Sequence, residues 1–453
     1  MNDILMQAET CDHFTVIRHH SRESFQVKVT NGTLSQVYHS MVEGVGVRSL
    51  VDGSWGFACS TRPDDSLVER AAEIAEQSAN HKSHHSHLSP ASQVRGMWKS
   101  QVKDQVTMDT LGEIIGFLKE ADSHAAEYKK IGFRYLTFLA ARDIKEIATS
   151  EGSHINQKEE RIFCTIAVAA SIAGKRAVAN NAVGSQEGLE FFSQDDLHTM
   201  VDEECQRACR LASATMPPAG KANVVLSPEV AAVLIHEAVG HVAEADVVQG
   251  GSYLSHRLDT HICNEQVTVT DDGKFPHAFG SYGFDDECIP SHKTPIITEG
   301  YVRNYLHSRS TAPAAEYLTG NARSWMYSKE PIVRMTNTYL EPRDYTRDEL
   351  YEYVHDGLVL KGITSGLADH SGNFTLHVPE AQQIQGGRLT DRYYSGVAIS
   401  ANAFDLLKEL SAIGGKSTFL LIPGICGKGE SAFVGMGSPA IATSVLIGGG
   451  LSG

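Results

Sequence analysis

The chain has 453 residues, of which 42% are hydrophobic and 21% are charged, as expected for a folded protein of two or three domains. Its formal net charge of −16 argues against nucleic-acid binding, because phosphate groups attract basic surfaces. We find no run of about 18 apolar residues and no export signal, so we expect neither a membrane span nor secretion. The eight scattered cysteines then predict reduced thiols and a cytoplasmic location.

The first part of the chain predicts an antiparallel meander. Alternating apolar and polar residues predict short strands, and Asn31-Gly32 and Asp52-Gly53 are typical hairpin turns. The predicted strands are Phe14–Ile17, Phe25–Val29, Leu34–Tyr38, Gly44–Val51 and Trp55–Ala58.

Helices are predicted where apolar residues recur at helical spacing. Two such segments are Met108–Tyr128 and Asp195–Thr215, with further strands within residues 131–172 between them. The polar, histidine-rich stretch His81–His87 favours a solvated linker over a loose metal site.

The strongest chain break is Met216-Pro217-Pro218-Ala219-Gly220, which predicts a domain boundary. We therefore expect an N-terminal domain of mixed antiparallel strands and helices over residues 1–216. A mainly β domain is expected over residues 221–453. Regular alternation of strand and helix is missing from the sequence, so the pattern favours an α+β fold over a doubly wound one.

A buried helix is predicted to open the second domain. Ser227-Pro228-Glu229 is a typical helix start, and the residues that follow, as far as Ala243, are almost all apolar. A helix that is apolar on every side is buried. His236, Glu237 and His241 would be costly inside it unless a partner such as a metal ion satisfied them.

The two histidines are five residues apart, which places them about 140° apart on a regular helix. A local i→i+5 widening would bring them together, and Gly240 would lower the cost of that distortion. The functional interpretation is Zn²⁺ held by His236 and His241, with Glu237 as the general base that activates the metal-bound water. The alternative is two unrelated buried histidines and a surface glutamate.

The rest of the second domain is mainly strand-like. Asp271-Asp272-Gly273 predicts a turn, and a short helix is predicted near residues 347–354. The predicted strands include Glu265–Thr270, Pro295–Thr298, Pro331–Leu340, Val397–Ser400 and Ser417–Ile422.

A catalytic zinc usually has three protein ligands, and residue type alone leaves the third open. Cys426 stands out, because glycines surround it and Lys428 would favour its thiolate. The candidates by type are Glu244, Asp246, His256, His261, Cys263, Cys288 and Cys426. The Asp285-Asp286-Glu287 cluster favours orienting a histidine or fixing a loop, and Arg334 could pair with that cluster or bind a substrate carboxylate.

The pattern His-Glu-x-x-x-His at residues 236–241, followed far downstream by Gly-Ile-Cys-Gly-Lys at residues 424–428, resembles the TldD/PmbA family of metallopeptidases. Further matching blocks extend the resemblance from about residue 20 to the end of the chain. These blocks are Gly44–Arg48, Gly53–Phe57, Asp285–Glu287, Thr319–Asn321, Arg334–Thr338 and Gln385–Gly387.

The resemblance implies a zinc peptidase of the metal-bearing TldD type, with His236, His241 and Cys426 as ligands and Glu237 as base. It implies extended or unfolded peptides as substrates, and a dimer with an identical chain or with a TldE/PmbA-like subunit. The sequence does not decide whether iron can replace zinc.

Two residues depart from the family pattern. Cys288 stands where the family usually has glycine, and Glu430 stands where it usually has glutamine. Both leave the metal ligands in place but put the substrate preference in question. One alternative is a metal-dependent tailoring enzyme that acts on a small peptide-like metabolite. Another is a non-enzymatic binding protein with a structural zinc.

Overall fold

A computed structural model of the chain describes residues 2–449, apart from residues 63, 65, 81–85, 363 and 364. Residues 81–85 of the predicted histidine-rich linker therefore lie outside the described residues. The secondary structure is 45% strand and 23% helix, which confirms a mixed α+β fold.

One antiparallel sheet organises the first 185 residues, with the strand order β3-β2-β1-β5-β6-β4 and with β7 paired to β6. Only β4 runs parallel to its neighbour, β6. Its strands are β1 (Phe14–Thr30), β2 (Thr33–Val51), β3 (Ser54–Ser60), β4 (Arg95–Lys99), β5 (Ile131–Thr149), β6 (His154–Ile172) and β7 (Lys175–Ser185).

Both predicted hairpin turns are confirmed. Asn31 and Asp52 adopt positive φ angles of 48° and 46°, and the glycine after each also has a positive φ. The two predicted strands Phe14–Ile17 and Phe25–Val29 are instead one continuous strand, β1. The residues between them are polar, and three of them, Arg18, His20 and Ser21, are buried. The buried His20 has a charged partner, Asp143.

Helices pack on the sheet and continue into the second half of the chain. The predicted helices at Met108–Tyr128 and Asp195–Thr215 correspond to α3 and α4, whose apolar faces join the core of the first sheet. The helices are α1 (Asn2–Gln7), α2 (Ser66–Ala79), α3 (Leu111–Ala126), α4 (Gln194–Ser213), α5 (Pro228–Ile235), α6 (Ala245–Gln249), α7 (Arg347–Val354) and α8 (Ala403–Glu409). Short 3₁₀ turns lie at Ala8–Thr10, Leu189–Phe191, His241–Ala243, Ala315–Tyr317 and Lys416–Thr418.

From residue 220 onward the strands belong to other sheets. One has the order β11-β10-β9-β14-β21-β20, and another has the order β15-β8-β22-β18-β17-β16, in which an additional pairing of β15 with β17 closes a ring. The strands are β8 (Gly220–Leu226), β9 (Val269–Asp272), β10 (Lys293–Thr298), β11 (Tyr301–Val302), β12 (Ala322–Arg323), β13 (Ile332–Val333), β14 (Asn337–Leu340), β15 (Gly357–Lys361), β16 (Ser365–Ala368), β17 (Asn373–Gln385), β18 (Arg388–Asn402), β19 (Ala412–Ile413), β20 (Leu420–Lys428), β21 (Glu430–Ser438) and β22 (Ile441–Gly449).

Helix α5 lies in the largest apolar core among the described residues and packs against β21. Val230 to Ile235 are all buried, as the apolar sequence predicts. The end of α5, where His236 lies, is therefore surrounded by packed apolar side chains.

Four local predictions in this half are wrong. Only the last two residues of the predicted strand Glu265–Thr270 belong to β9, and the predicted strand Pro331–Leu340 is divided into β13 and β14. Asp271 and Asp272 end strand β9 instead of forming a turn, because the buried Asp271 carboxylate accepts hydrogen bonds from Thr336 and Thr338. The predicted strand Ser417–Ile422 begins as a 3₁₀ turn, and β20 starts only at Leu420. The division into domains at residues 216–221 stays a prediction, although the change from one sheet to the others falls there. No helix in the described ranges is long and apolar enough to cross a bilayer.

Candidate metal centre

The helix widens at the two histidines as the spacing predicts. Residues His236–Gly240 form a π-helical turn, closed by the hydrogen bond from the His241 N–H to the His236 carbonyl. Gly240 was expected to ease the distortion of the backbone, but its φ of −60° is ordinary helical backbone that any residue can adopt. Gly240 is required for space, since the Met335 sulfur occupies the position of a side chain there.

The structure brings His236, His241 and Cys426 together. One ligand atom from each of the three residues lies within 4.8 Å of the other two. The His241 Nε2 and Cys426 Sγ atoms are 3.0 Å apart. Ligands of one tetrahedral zinc are about 3.5 Å from one another, so the three side chains fit a single ion.

His236 is buried, and its Nδ1 atom has no hydrogen-bond partner among the described residues. Burial, with the nearby His241 and Arg334, holds the pKa of His236 well below its usual value. Its imidazole is therefore neutral, which is the form that binds metals. A buried imidazole with an unpartnered nitrogen fits a metal ligand better than a residue of the core.

His241 is held from both sides of its ring. Its Nδ1 lies 3.0 Å from Glu244 Oε2, while its Nε2 faces Cys426. Burial alone would lower its pKa, but Cys426 and Glu244 raise the pKa of His241 to about 10. A cation bound at Nε2 would take the place of that proton.

Cys426 lies in β20 and is held through its backbone. The buried Arg334 guanidinium donates to the Cys426 carbonyl at 2.9 Å and to the Glu430 carbonyl at 2.6 Å. The sequence did not decide whether Arg334 pairs with the acidic cluster or binds a substrate carboxylate. It instead fixes the β20–β21 hairpin that carries the cysteine.

Glu237 is partly buried and follows His236 directly. Its carboxylate accepts no hydrogen bond from the part of the chain that the structure describes. Burial raises its pKa, and the nearby Glu244 adds to this effect, whereas His241 opposes it. A carboxyl group with a raised pKa and free oxygens beside two histidines can accept and return a proton.

Among the described residues, no other candidate ligand joins this group of three. Glu244 contacts the Nδ1 side of the His241 ring, and Asp246 pairs with Lys428. The effect expected of Lys428 on the Cys426 thiolate stays a prediction. Asp285, Asp286 and Glu287 contact neither histidine. They fix loops: Asp285 accepts the Ala322 N–H, for example.

Neither of the two family departures belongs to the metal cluster. Cys288 is buried and adopts a φ of 63°, a conformation that favours glycine. Glu430 accepts the Trp325 N–H at 3.3 Å, and burial raises its pKa.

Three sequence profiles that describe one family match this chain. They are the PmbA/TldA metallopeptidase domain 1 over residues 15–79, the central domain over residues 107–212 and the C-terminal domain over residues 219–449. The chain belongs to the TldD/PmbA family of metallopeptidases. The region of this chain that matches the C-terminal domain, residues 219–449, includes His236, His241 and Cys426.

Relatives within the family support a metallopeptidase. A protein named metalloprotease from Methanothermobacter thermautotrophicus is 31% identical over 99% of this chain and 98% of its own length. A metalloprotease of Methanocaldococcus jannaschii is 32% identical over 95% of this chain and 96% of its own. A protein of Saccharolobus solfataricus named zinc metalloprotease TldD homolog is 24% identical, with 96% of each chain covered.

Solved structures share the fold of this TldD/PmbA chain along its length. A putative modulator of a DNA gyrase from Thermotoga maritima has a TM-score of 0.79 at 18% identity, with 99% of both chains covered. TldE from Thermococcus kodakarensis has a TM-score of 0.77 at 15% identity, again with 99% of both covered. At such low identity these matches establish the fold alone.

Proposed function

We propose that this chain is a zinc-dependent peptidase that hydrolyses peptide bonds in extended or unfolded peptides. The observation that carries the proposal is the convergence of His236, His241 and Cys426 within 4.8 Å, next to a glutamate with free oxygens. The substrate class is the one that the family resemblance implies.

Each residue has a distinct role in this proposal. His236, His241 and Cys426 would hold the ion, and three protein ligands are the usual number at a catalytic zinc. Bound zinc supplies Lewis acidity, which polarises the scissile carbonyl and the attacking water. Glu237 accepts the proton of the water and returns it to the leaving amine.

Zinc is proposed because two imidazoles and one thiolate suit it, and because a relative is named a zinc metalloprotease. Elemental analysis of the purified protein distinguishes zinc from iron, which the same ligands could also bind. About one zinc per chain is expected.

The test is a Glu237→Gln variant beside the wild type, with Glu316→Gln at an exposed position as the matched control. Each protein is assayed for metal and incubated with a library of unfolded peptides read by mass spectrometry. We expect equal zinc in all three, and cleavage reduced about 100-fold or more only in the Glu237 variant.

Other results would redirect the proposal. Zinc without cleavage by the wild type would favour the tailoring enzyme, or a chain that needs a partner subunit. Equal cleavage by wild type and Glu237→Gln would exclude Glu237 as the base. Absence of metal from all three proteins would overturn the metal site itself.

We further propose that the chain works as a dimer, with an identical chain or with a TldE/PmbA-like subunit. The segment of β2 from Thr33 to Val42 supports this proposal. It pairs with β1 on one side, and no described strand pairs with its other edge. It carries no formal charge apart from its histidine, and its exposed apolar side chains include Val37, Tyr38 and Met41.

A cytoplasmic location is proposed from the thiols. All eight cysteines are free. Cys426 in particular must be a thiol or thiolate to bind a metal ion, and a reducing compartment preserves that state.

A further inference from the structure

Glu244 is an unusual carboxylate, because it is completely buried beside the metal cluster without belonging to it. Its Oε2 atom lies 3.0 Å from His241 Nδ1 and 3.0 Å from Lys428 Nζ. Its Oε1 atom accepts the Met335 N–H at 3.2 Å. A buried carboxylate needs such partners, since an unpaired charge there would be strongly destabilising.

Lys428 lies on the other element of the cluster, two residues after Cys426 on β20. Besides Glu244, its ammonium contacts both Asp246 carboxylate oxygens at 2.9 and 2.8 Å, and it donates to the Val333 carbonyl at 2.8 Å. Lys428 is 21% exposed and Asp246 is 38% exposed, so the contact with Glu244 is the buried one.

These contacts join the two elements that carry the proposed ligands. His236 and His241 belong to the helical segment, whereas Cys426 lies on the β20–β21 hairpin, about 190 residues later in the chain. The path His241–Glu244–Lys428 crosses from the helix to the hairpin through two contacts of 3.0 Å. Because β20 is an edge strand of its sheet, the sheet alone holds the cysteine from one side only.

We propose that Lys428 is a positioning residue that docks the Cys426 hairpin against Glu244 and thereby presets the metal site. Glu244 in turn orients the His241 ring so that Nε2 faces Cys426. The proposal rests on the metal ligands of the proposed function, but it concerns metal binding and not hydrolysis. Its consequence is that zinc affinity depends on a lysine that does not touch the metal.

The test compares Lys428→Met, which keeps the length of the side chain without its charge, with Lys428→Arg, which keeps the charge. Asp246→Asn is the matched control, since it weakens the exposed contact of Lys428 and leaves Glu244 in place. Arg334 lies 3.9 Å from Glu244 and remains as a second cation, so Lys428→Met is expected to fold.

Zinc affinity is measured by chelator competition, after circular dichroism and thermal melting of each metal-free protein. We expect Lys428→Met to raise the zinc dissociation constant about 10- to 100-fold. Lys428→Arg should recover most of the affinity, and Asp246→Asn should stay near the wild type. With Co²⁺ as a probe, the thiolate-to-cobalt absorption band should weaken in Lys428→Met alone.

Wild-type zinc affinity and a wild-type cobalt band in Lys428→Met would overturn the proposal. So would a loss of affinity that follows a fall in the melting temperature of the metal-free protein and that Lys428→Arg does not recover, because that pattern indicates general destabilisation. These measurements need no peptide. A wild-type protein that binds zinc but cleaves no peptide would therefore count against the peptidase and not against the role of Lys428.

Discussion

The thioether of Met335 packs against Gly240 so closely that a Cβ atom on residue 240 would overlap its sulfur. Gly240 is the last residue of the π-helical turn, directly before His241. Met335 thus supports the widened turn from outside, and the small size of Gly240 lets it do so. The histidine spacing and the packing of this turn are therefore linked.

Gly240→Ala tests this link. We expect the extra methyl group to destabilise the protein by about 1–3 kcal/mol, because the packed core cannot accommodate it. In a Met335→Ala background the space is free, and the same change should be neutral or stabilising, since alanine is favoured over glycine in a helix by about 1 kcal/mol. Denaturant unfolding of the four proteins gives the comparison, and an equal cost in both backgrounds would contradict it.

The backbone of Cys288 is strained, because its φ of 63° is costly for any residue with a Cβ. Its thiol packs against Val16, Ile147 and Ile155, so replacement also loses contacts. Comparing Cys288→Gly with Cys288→Ala separates the two effects, since both remove the thiol.

We expect Cys288→Gly to be more stable than Cys288→Ala by about 1 kcal/mol, the reverse of the usual order, because only alanine keeps the backbone strain. The unfolding free energies of the two variants show which of them is more stable. Alanine more stable than glycine would mean that the strain is small.

The chemistry of the site could be predicted from the sequence because residue type and spacing carry it. Two histidines five residues apart in an apolar helix can share one ion only if the helix widens between them. The π-helical turn at His236–Gly240 is such a widening. Cys426 could be ranked first by its glycine context and by resemblance.

The supporting contacts could not be predicted, because they join residues far apart in the chain. Lys428 binds Asp246, 182 positions earlier, and Arg334 binds the carbonyl of Cys426, 92 positions later. Contacts between distant residues also explain why β1 was predicted as two separate strands. Its polar middle section is not typical of a buried strand, and its partner, Asp143, lies more than 100 residues away.

Glu204 predicts a dependence of stability on pH. Burial, which outweighs the attraction of Arg207, raises the pKa of Glu204 to about 7. The unfolded chain has a value of about 4.3, so the folded protein holds this proton more tightly. The resulting stabilisation is complete below the unfolded pKa and is lost as the pH rises through about 7.

Glu204→Gln removes this titration. Relative to the wild type, the variant should gain stability between about pH 5 and pH 8, by up to about 3 kcal/mol. Unfolding free energies at both pH values provide the measurement. A flat difference for Glu204→Gln would mean that its carboxylate is ionised in the fold without cost.

We expect the free edge of β2, from Thr33 to Val42, to form the contact between subunits. Val37 and Met41 are 46% and 65% exposed there, and natural edge strands usually avoid such apolar side chains. If this edge pairs with a second subunit, Val37→Lys/Met41→Lys should shift the protein from dimer to monomer in sedimentation velocity, because the lysines would have to be desolvated. Met97→Lys, on β4 at the opposite edge of the same sheet, should leave association unchanged. A dimer that survives the double substitution must use another surface, and a monomeric wild type would favour the heteromeric partner.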